Sequence, residues 1–130
     1  MATMQVELVS PEKKLASLEA ESVGLPGGDG DFTAMAGHVP TATTLRPGVV
    51  TIESGSQKTE YLVAGGFAEV NGTAVSILAE YAALRSEASR EMFDSVREAA
   101  AAKVEATEGM RKAEAERDLK EIDTLVASLS

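Results

Sequence analysis

The chain has no cysteine, no tryptophan and a single histidine. Without cysteine there is no disulfide framework, no thiolate metal site and no thiol nucleophile, and one histidine rules out His-pair zinc sites. Aromatics supply only 4% of the 130 residues, so a core must be assembled from Val, Leu, Ile, Met and Ala. Positive charge is also scarce. The 12 Lys and Arg against 21 Asp and Glu leave a formal charge of -9, the wrong sign for a surface that grips phosphate backbones or anionic lipid. No nucleic-acid partner is expected, and a membrane would be reached only through protein partners. No run approaches the roughly 20 apolar residues of a spanning helix. The opening Met1-Ala2-Thr3-Met4-Gln5-Val6-Glu7-Leu8 lacks a basic segment followed by an apolar one, so no export signal is expected.

What is present falls into two periods. From Met4 to about Ala79 apolar residues alternate with polar ones, and Gly, Pro and Asn break the pattern at short intervals, as in short antiparallel strands. Met4, Val6 and Leu8 alternate with Gln5 and Glu7, and Ser10-Pro11-Glu12-Lys13-Lys14 is turn chemistry. A second strand is expected from Leu15 to Leu25, stopped by Pro26-Gly27-Gly28-Asp29-Gly30. Val49–Glu53 and Tyr61–Val63 flank Ser54-Gly55-Ser56-Gln57 as a hairpin, and Phe67–Val70 follows. Asn71-Gly72 predicts a two-residue turn with positive φ at both positions, leading into Val75, Ile77 and Ala79. Strands at this spacing imply a sandwich or barrel.

After Glu80 the composition changes. No Pro occurs from Tyr81 onward, Gly occurs once, and Ala, Glu, Lys and Arg dominate, which predicts helix. Ser86 is the expected N-cap. Phe93, Val96, Ala100 and Val104 form one apolar row; Thr107-Glu108-Gly109 interrupts it; Leu119, Ile122, Val126 and Leu129 form a second, with Leu125 alongside. Two helices joined so closely should lie antiparallel. Seven basic and eleven acidic residues follow Arg85, so -4 of the -9 lies there and neither half is a lone charged tail. Rows one residue wide bury little area, so the pair is expected to be marginal alone and suited to docking and undocking. The fold expected is α+β, an N-terminal antiparallel sandwich over residues 1–84 and a C-terminal helical hairpin over residues 85–130.

Candidate chemistry is thin. The Gly-rich stretch from Pro26 to Phe32 lacks the Gly-Lys-Ser/Thr ending of a P-loop and the strand-turn-helix setting of a dinucleotide fingerprint, so it reads as a tight turn. Asp29-Gly30-Asp31 lacks the remaining ligands of a calcium loop. His38 lies between breakers and reads as a turn residue or a contact residue. Gly65-Gly66 reads as a bulge or a close backbone approach. The helical cations mostly have an acid three or four places away and read as a paired, solvated face. No catalytic residues, cofactor or metal are implied, and an enzyme is not expected.

The order of motifs resembles the epsilon subunit of bacterial F-type ATP synthases along the whole chain. Val9-Ser10-Pro11-Glu12-Lys13-Lys14 resembles the family's first turn, and Val23-Gly24-Leu25-Pro26-Gly27 with Gly30, Asp31 and Phe32 its second. Gly37-His38-Val39-Pro40 and Leu45-Arg46-Pro47-Gly48 resemble its Gly-His-x-Pro and Leu-Lys-Pro-Gly motifs. Gly65-Gly66-Phe67-Ala68-Glu69-Val70 and Leu78-Ala79-Glu80 complete the match.

The resemblance implies a non-catalytic rotor subunit of a proton-translocating F-type ATP synthase, peripheral on the cytoplasmic face of the bacterial inner membrane, that links the gamma subunit to the c-subunit ring. By position, Asp29, Gly30, Asp31, Phe32, Gly37 and His38 would meet the c ring, and other parts of the sandwich would hold gamma. In some relatives the hairpin reaches the alpha/beta catalytic head and blocks hydrolysis. Ala36 stands where a Pro often precedes Gly-His, and Thr33 where Gly is frequent, departures expected to tune geometry only. Relatives that bind ATP carry an aliphatic-acid-x-x-Arg-Ala motif. Ser86-Glu87-Ala88-Ser89-Arg90-Glu91 keeps the acid and the arginine but neither flank, so Glu87 and Arg90 are the residues for an ATP contact, and a small ATP-binding regulator is the alternative.

Overall fold

In the computed structural model, which describes residues 2–129, ten strands precede two α-helices. The strands are β1 (Met4–Val9), β2 (Lys14–Ala20), β3 (Ser22–Gly27), β4 (Gly30–Met35), β5 (Thr41–Leu45), β6 (Gly48–Ser54), β7 (Gln57–Val63), β8 (Gly66–Val70), β9 (Ala74–Ala79) and β10 (Ala82–Leu84). The helices are α1 (Asp94–Ala106) and α2 (Met110–Ala127). Hydrogen bonding runs in the order β10-β7-β6-β3-β5-β8-β9-β1-β2, with β4 on the other side of β3. The joint between β3 and β5 is the single pair Gly27–Leu45, where the sheet folds over into two layers. The α+β sandwich followed by two helices is as the sequence predicts.

Alternation explains the core. Met4, Val6 and Leu8 of β1 point inward and meet Val75 and Ile77 of β9, while Val23, Leu25, Val50, Ile52 and Val63 close the opposite layer. Each fully buried aliphatic side chain contributes about 1.5–3 kcal/mol by removal from water. One pairing departs from the all-antiparallel expectation: β1 and β9 are parallel. Chain-distant strands can pair this way because neither a tight turn nor the local pattern dictates direction.

Three local expectations are corrected. The single strand from Leu15 to Leu25 is broken at Glu21, whose N–H is taken by the Glu53 carbonyl at 2.8 Å; β2 pairs with β1 in one layer and β3 with β6 in the other. Asn71 and Gly72 do not adopt positive φ. Instead the Asn71 carboxamide oxygen accepts from the N–H groups of Thr73 and Ala74, each at 2.8 Å, so the side chain builds the turn that backbone handedness was expected to build. A left-handed hairpin position is found instead in the Ser54–Gln57 turn, at Gly55 with φ +62°. Gly66 matches its expectation: a Cβ there would lie 2.3 Å from the Leu78 carbonyl oxygen.

The helix does not begin at Ser86. After β10 the chain makes two short 3-10 turns, Arg85–Glu87 and Glu91–Phe93, and the α-helix starts at Asp94. The delay places Phe93, fully buried, edge-on to Tyr81 with ring centroids 4.9 Å apart. Leu62 supplies the other half of this seam. Its neighbours Tyr61 and Val63 face the sandwich core, so Leu62 faces outward, beside Val49 and against Phe93 and Leu125. Helix α1 has no buried residue and α2 has Ala115, Ile122 and Leu125, so the helices cover the sandwich through a narrow band. Beside that band lies a cleft of about 370 Å³ lined by Pro47, Gly65, Tyr81, Val96, Ala99 and Ile122 among others, where alanines leave the two layers incompletely filled. The helices lie antiparallel to the extent that Arg97 of α1 reaches Asp123 of α2.

Candidate functional site

The residues expected at a partner surface lie along β4, an edge strand paired only with β3. Gly28-Asp29 forms the β3–β4 turn, closed by the Gly27–Gly30 pair, with Gly30 at φ +141°. The turn is tied to β5, because the Gly28 N–H donates to the Thr44 carbonyl at 2.8 Å and to the Thr43 hydroxyl at 3.2 Å. Asp29, Gly30 and Asp31 are exposed. At the other end of β4, the His38 N–H donates to the Met35 carbonyl at 2.9 Å, and the Gly37 N–H donates to the Gly72 carbonyl at 3.0 Å.

The fold therefore brings some of these residues together and separates others. The Phe32 and His38 rings meet at 5.8 Å between centroids, with an interplanar angle of 34°. His38 Nδ1 lies 2.7 Å from the Val39 carbonyl oxygen, which orients the ring. Asp29 and Gly37 sit at opposite ends of a strand that rises about 3.3 Å per residue, so the set is a strip along one edge rather than one pocket. Two exposed apolar residues lie near this edge: Val39, 69% exposed and next to His38 in the chain, and Met35, 57% exposed and on the face of β4 opposite to Phe32. The only signal for Met35 in the sequence is an apolar residue on the outward phase of an edge strand.

In the sequence Arg46 shows only as part of the Leu45-Arg46-Pro47-Gly48 motif. It leaves the end of β5 and donates through Nε to the Gly27 carbonyl at 2.7 Å. Its other two nitrogens pair with Asp31 at 2.8 Å and with Glu121 of α2 at 3.0 Å. The turn bearing Asp31 and the second helix thus share one guanidinium.

Glu87 and Arg90 fall in and just after the first 3-10 turn, both exposed. Arg90 lines an open cleft of about 650 Å³ with Arg85, Ser86, Ser89, Glu91 and Ser128. Glu87 instead faces Tyr61, whose hydroxyl is pushed above its ordinary range first by burial and then by this carboxylate. Tyr81 is raised likewise, by burial and then by Glu12. No described helix is long and apolar enough to cross a membrane.

Residues 3–85 match the family model for the beta-sandwich domain of the ATP synthase delta/epsilon chain. Among curated relatives, the ATP synthase epsilon chain of Fuscovulum blasticum is 42% identical over 127 residues, covering 98% of this chain and 96% of the relative. That of Paracoccus denitrificans is 49% identical over 105 residues, covering 80% and 71%. A chain in the cryo-EM structure of Euglena gracilis mitochondrial ATP synthase, comprising OSCP, F1 and the c ring, superposes with a TM-score of 0.71 at 26% identity, covering 100% of this chain and 83% of that one. Matched by the family model over residues 3–85 and by a 42%-identical epsilon chain over 98% of its length, this chain belongs to the ATP synthase epsilon chain family.

Proposed function

We propose that the chain is a non-catalytic subunit of the rotor, holding the gamma subunit with its sandwich and resting on the c-subunit ring through the β4 edge. The observation that carries this reading is the near full-length match to epsilon chains, with the Euglena likeness to a chain in an assembly that includes F1 and the c ring. Physical support comes from the two layers. A close-packed body deforms little and so passes torque between neighbours without absorbing it. The Phe32–His38 pair with exposed Val39 nearby, and the exposed Asp29, Gly30, Asp31 and Gly37 around it, offers apolar contacts with polar surroundings, the composition of a modest protein interface. Through these contacts proton flow through the ring would be coupled to ATP synthesis. The chain would sit peripherally on the cytoplasmic face of the bacterial inner membrane.

The hairpin (residues 85–130) is a separate, regulatory unit on the sandwich (residues 1–84), able to leave its seam for the alpha/beta head and restrain hydrolysis. Its narrow attachment through Leu62, Phe93 and Leu125 supports this. A second reading, ATP binding at the hairpin, is favoured by the cleft in which Arg85 and Arg90 stand among serine hydroxyls, donors suited to phosphate.

The deciding experiment is reconstitution with gamma and the c ring. A stable one-to-one complex with gamma is expected, with ring association weakened by His38→Ala or Phe32→Ala. Absence of any complex with gamma would overturn the reading. Comparing hydrolysis by the assembled enzyme with and without residues 86–130 tests the regulatory part, and an unchanged rate would remove it. Calorimetry with ATP tests the second reading, which no heat at millimolar nucleotide would eliminate.

A further inference from the structure

We propose that Arg46 couples the β3–β4 turn to the seating of α2, so that whatever engages Asp31 also sets how firmly the hairpin is held. Arg46 is anchored on both strands of that turn: its backbone N–H donates to the Pro26 carbonyl at 2.9 Å, its Nε to the Gly27 carbonyl at 2.7 Å, and one terminal nitrogen to Asp31 Oδ1 at 2.8 Å. The remaining terminal nitrogen donates to Glu121 Oε2 at 3.0 Å. Among the described residues this is the one ion pair between an α-helix and the strand region. It is also partly sheltered, with side-chain exposures of 23% for Arg46 and 24% for Glu121.

A guanidinium is a rigid planar fork. Each of its three nitrogens has a different acceptor, so the contacts do not compete; the two on the turn hold the plane at the angle that presents the third to Glu121. Tilting the plane to follow a displaced Asp31 therefore withdraws the donor from Glu121. The other oxygen of Glu121 does not replace the loss: Oε1 has no hydrogen-bond partner among the described residues, and Arg117 Nε on the same helix stays 3.7 Å from it. Asp31, by contrast, has 81% of its side chain exposed and stands within reach of an incoming lysine, arginine or backbone N–H. The two sites thus share one guanidinium whose orientation each of them biases, and that shared group is the proposed link between them. That the group engaging Asp31 belongs to the c ring rests on the proposed rotor role; the coupling within the chain does not.

The test uses the full chain alone. Its lack of cysteine allows spin labels to be placed only through Lys58→Cys and Lys112→Cys, and the distance distribution between them reports the docked and undocked hairpin. Asp31→Asn and Glu121→Gln are each expected to raise the ratio of undocked to docked hairpin, roughly threefold to tenfold. The double variant is expected to go no further than the larger single effect, because both remove the same linkage. Arg46→Lys, which keeps the charge but not the fork, should reproduce the Glu121→Gln distribution. An unchanged distribution in Asp31→Asn, or single effects that multiply in the double variant, would overturn the coupling. Since no partner is present, this outcome is independent of whether the chain binds gamma or the ring.

Discussion

The two halves of the molecule are stabilised in different ways. In the sandwich, inward residues of both layers interlock in one continuous core running from Met4 through Ala79. In the helical half, the buried side chains are Phe93, Ala115, Ile122 and Leu125, and Phe93 and Leu125 pack against Leu62, which belongs to the sandwich. The strands hold one another; the helices borrow their anchor. A body with its own core and an appendage without one should respond differently to the same kind of damage, because only the appendage can detach while the rest stays folded.

The sharpest way to break the contrast is at the anchor. Phe93→Ala removes a buried ring and should cost roughly 3–5 kcal/mol, taken almost wholly from docking. Amide exchange in α1 and α2 should rise sharply while the strands keep their protection. The matching damage in the sandwich, Ile77→Ala, should cost about 2–5 kcal/mol and lower the urea midpoint for strands and helices together. Gly66→Ala should act like a core substitution although it adds only a methyl group. A positive φ at a non-glycine residue costs about 1–3 kcal/mol, and the new Cβ would press on the Leu78 carbonyl. Urea titration followed by circular dichroism would register it as a loss in the strand transition.

Alkaline pH sharpens the comparison with a smaller effect. Tyr61 and Tyr81 are both held above the ordinary tyrosine range, mainly by burial. The folded chain therefore keeps these protons where the unfolded chain releases them, above about pH 10. Their contribution is complete below that pH and is lost as pH rises through the folded values. Because Tyr81 lies against Phe93 and Tyr61 faces the sandwich core, Tyr81→Phe should blunt the alkaline loosening of the hairpin and Tyr61→Phe that of the strands. Urea titrations followed by far-ultraviolet circular dichroism at helix and strand wavelengths, run from pH 9 to 11, would separate the two.

Local patterns were legible in the sequence and long-range pairings were not. Alternation in Met4, Val6 and Leu8 showed which side faces the core, and the Gly-Pro punctuation placed most of the turns. The two helical rows were also legible, since each depends on residues near in sequence, while Gly65-Gly66 announced a close approach without naming Leu78 as its partner. By contrast, the β1–β9 parallel pairing, the break at Glu21 and the seat of Phe93 on Leu62 depend on groups far along the chain. The strand β10 and the late start of α1 were hidden for the same reason: Tyr61, Leu62 and Val63 recruit Ala82–Leu84 into the sheet against the helical bias of their neighbours. At the candidate surface the motif residues were visible, but Met35, Val39 and the triple contact of Arg46 became recognisable only once the layers were assembled.

The central claim, a self-sufficient strand body carrying a weakly held helical pair, is tested most directly by native-state hydrogen exchange at increasing, sub-denaturing urea. The account predicts two tiers. Amides of α1 and α2 should exchange through an opening of low free energy and small urea dependence, while those of β1, β6, β7 and β9 exchange only through global unfolding. A single tier, with helices and strands sharing one opening free energy and one urea slope, would contradict it.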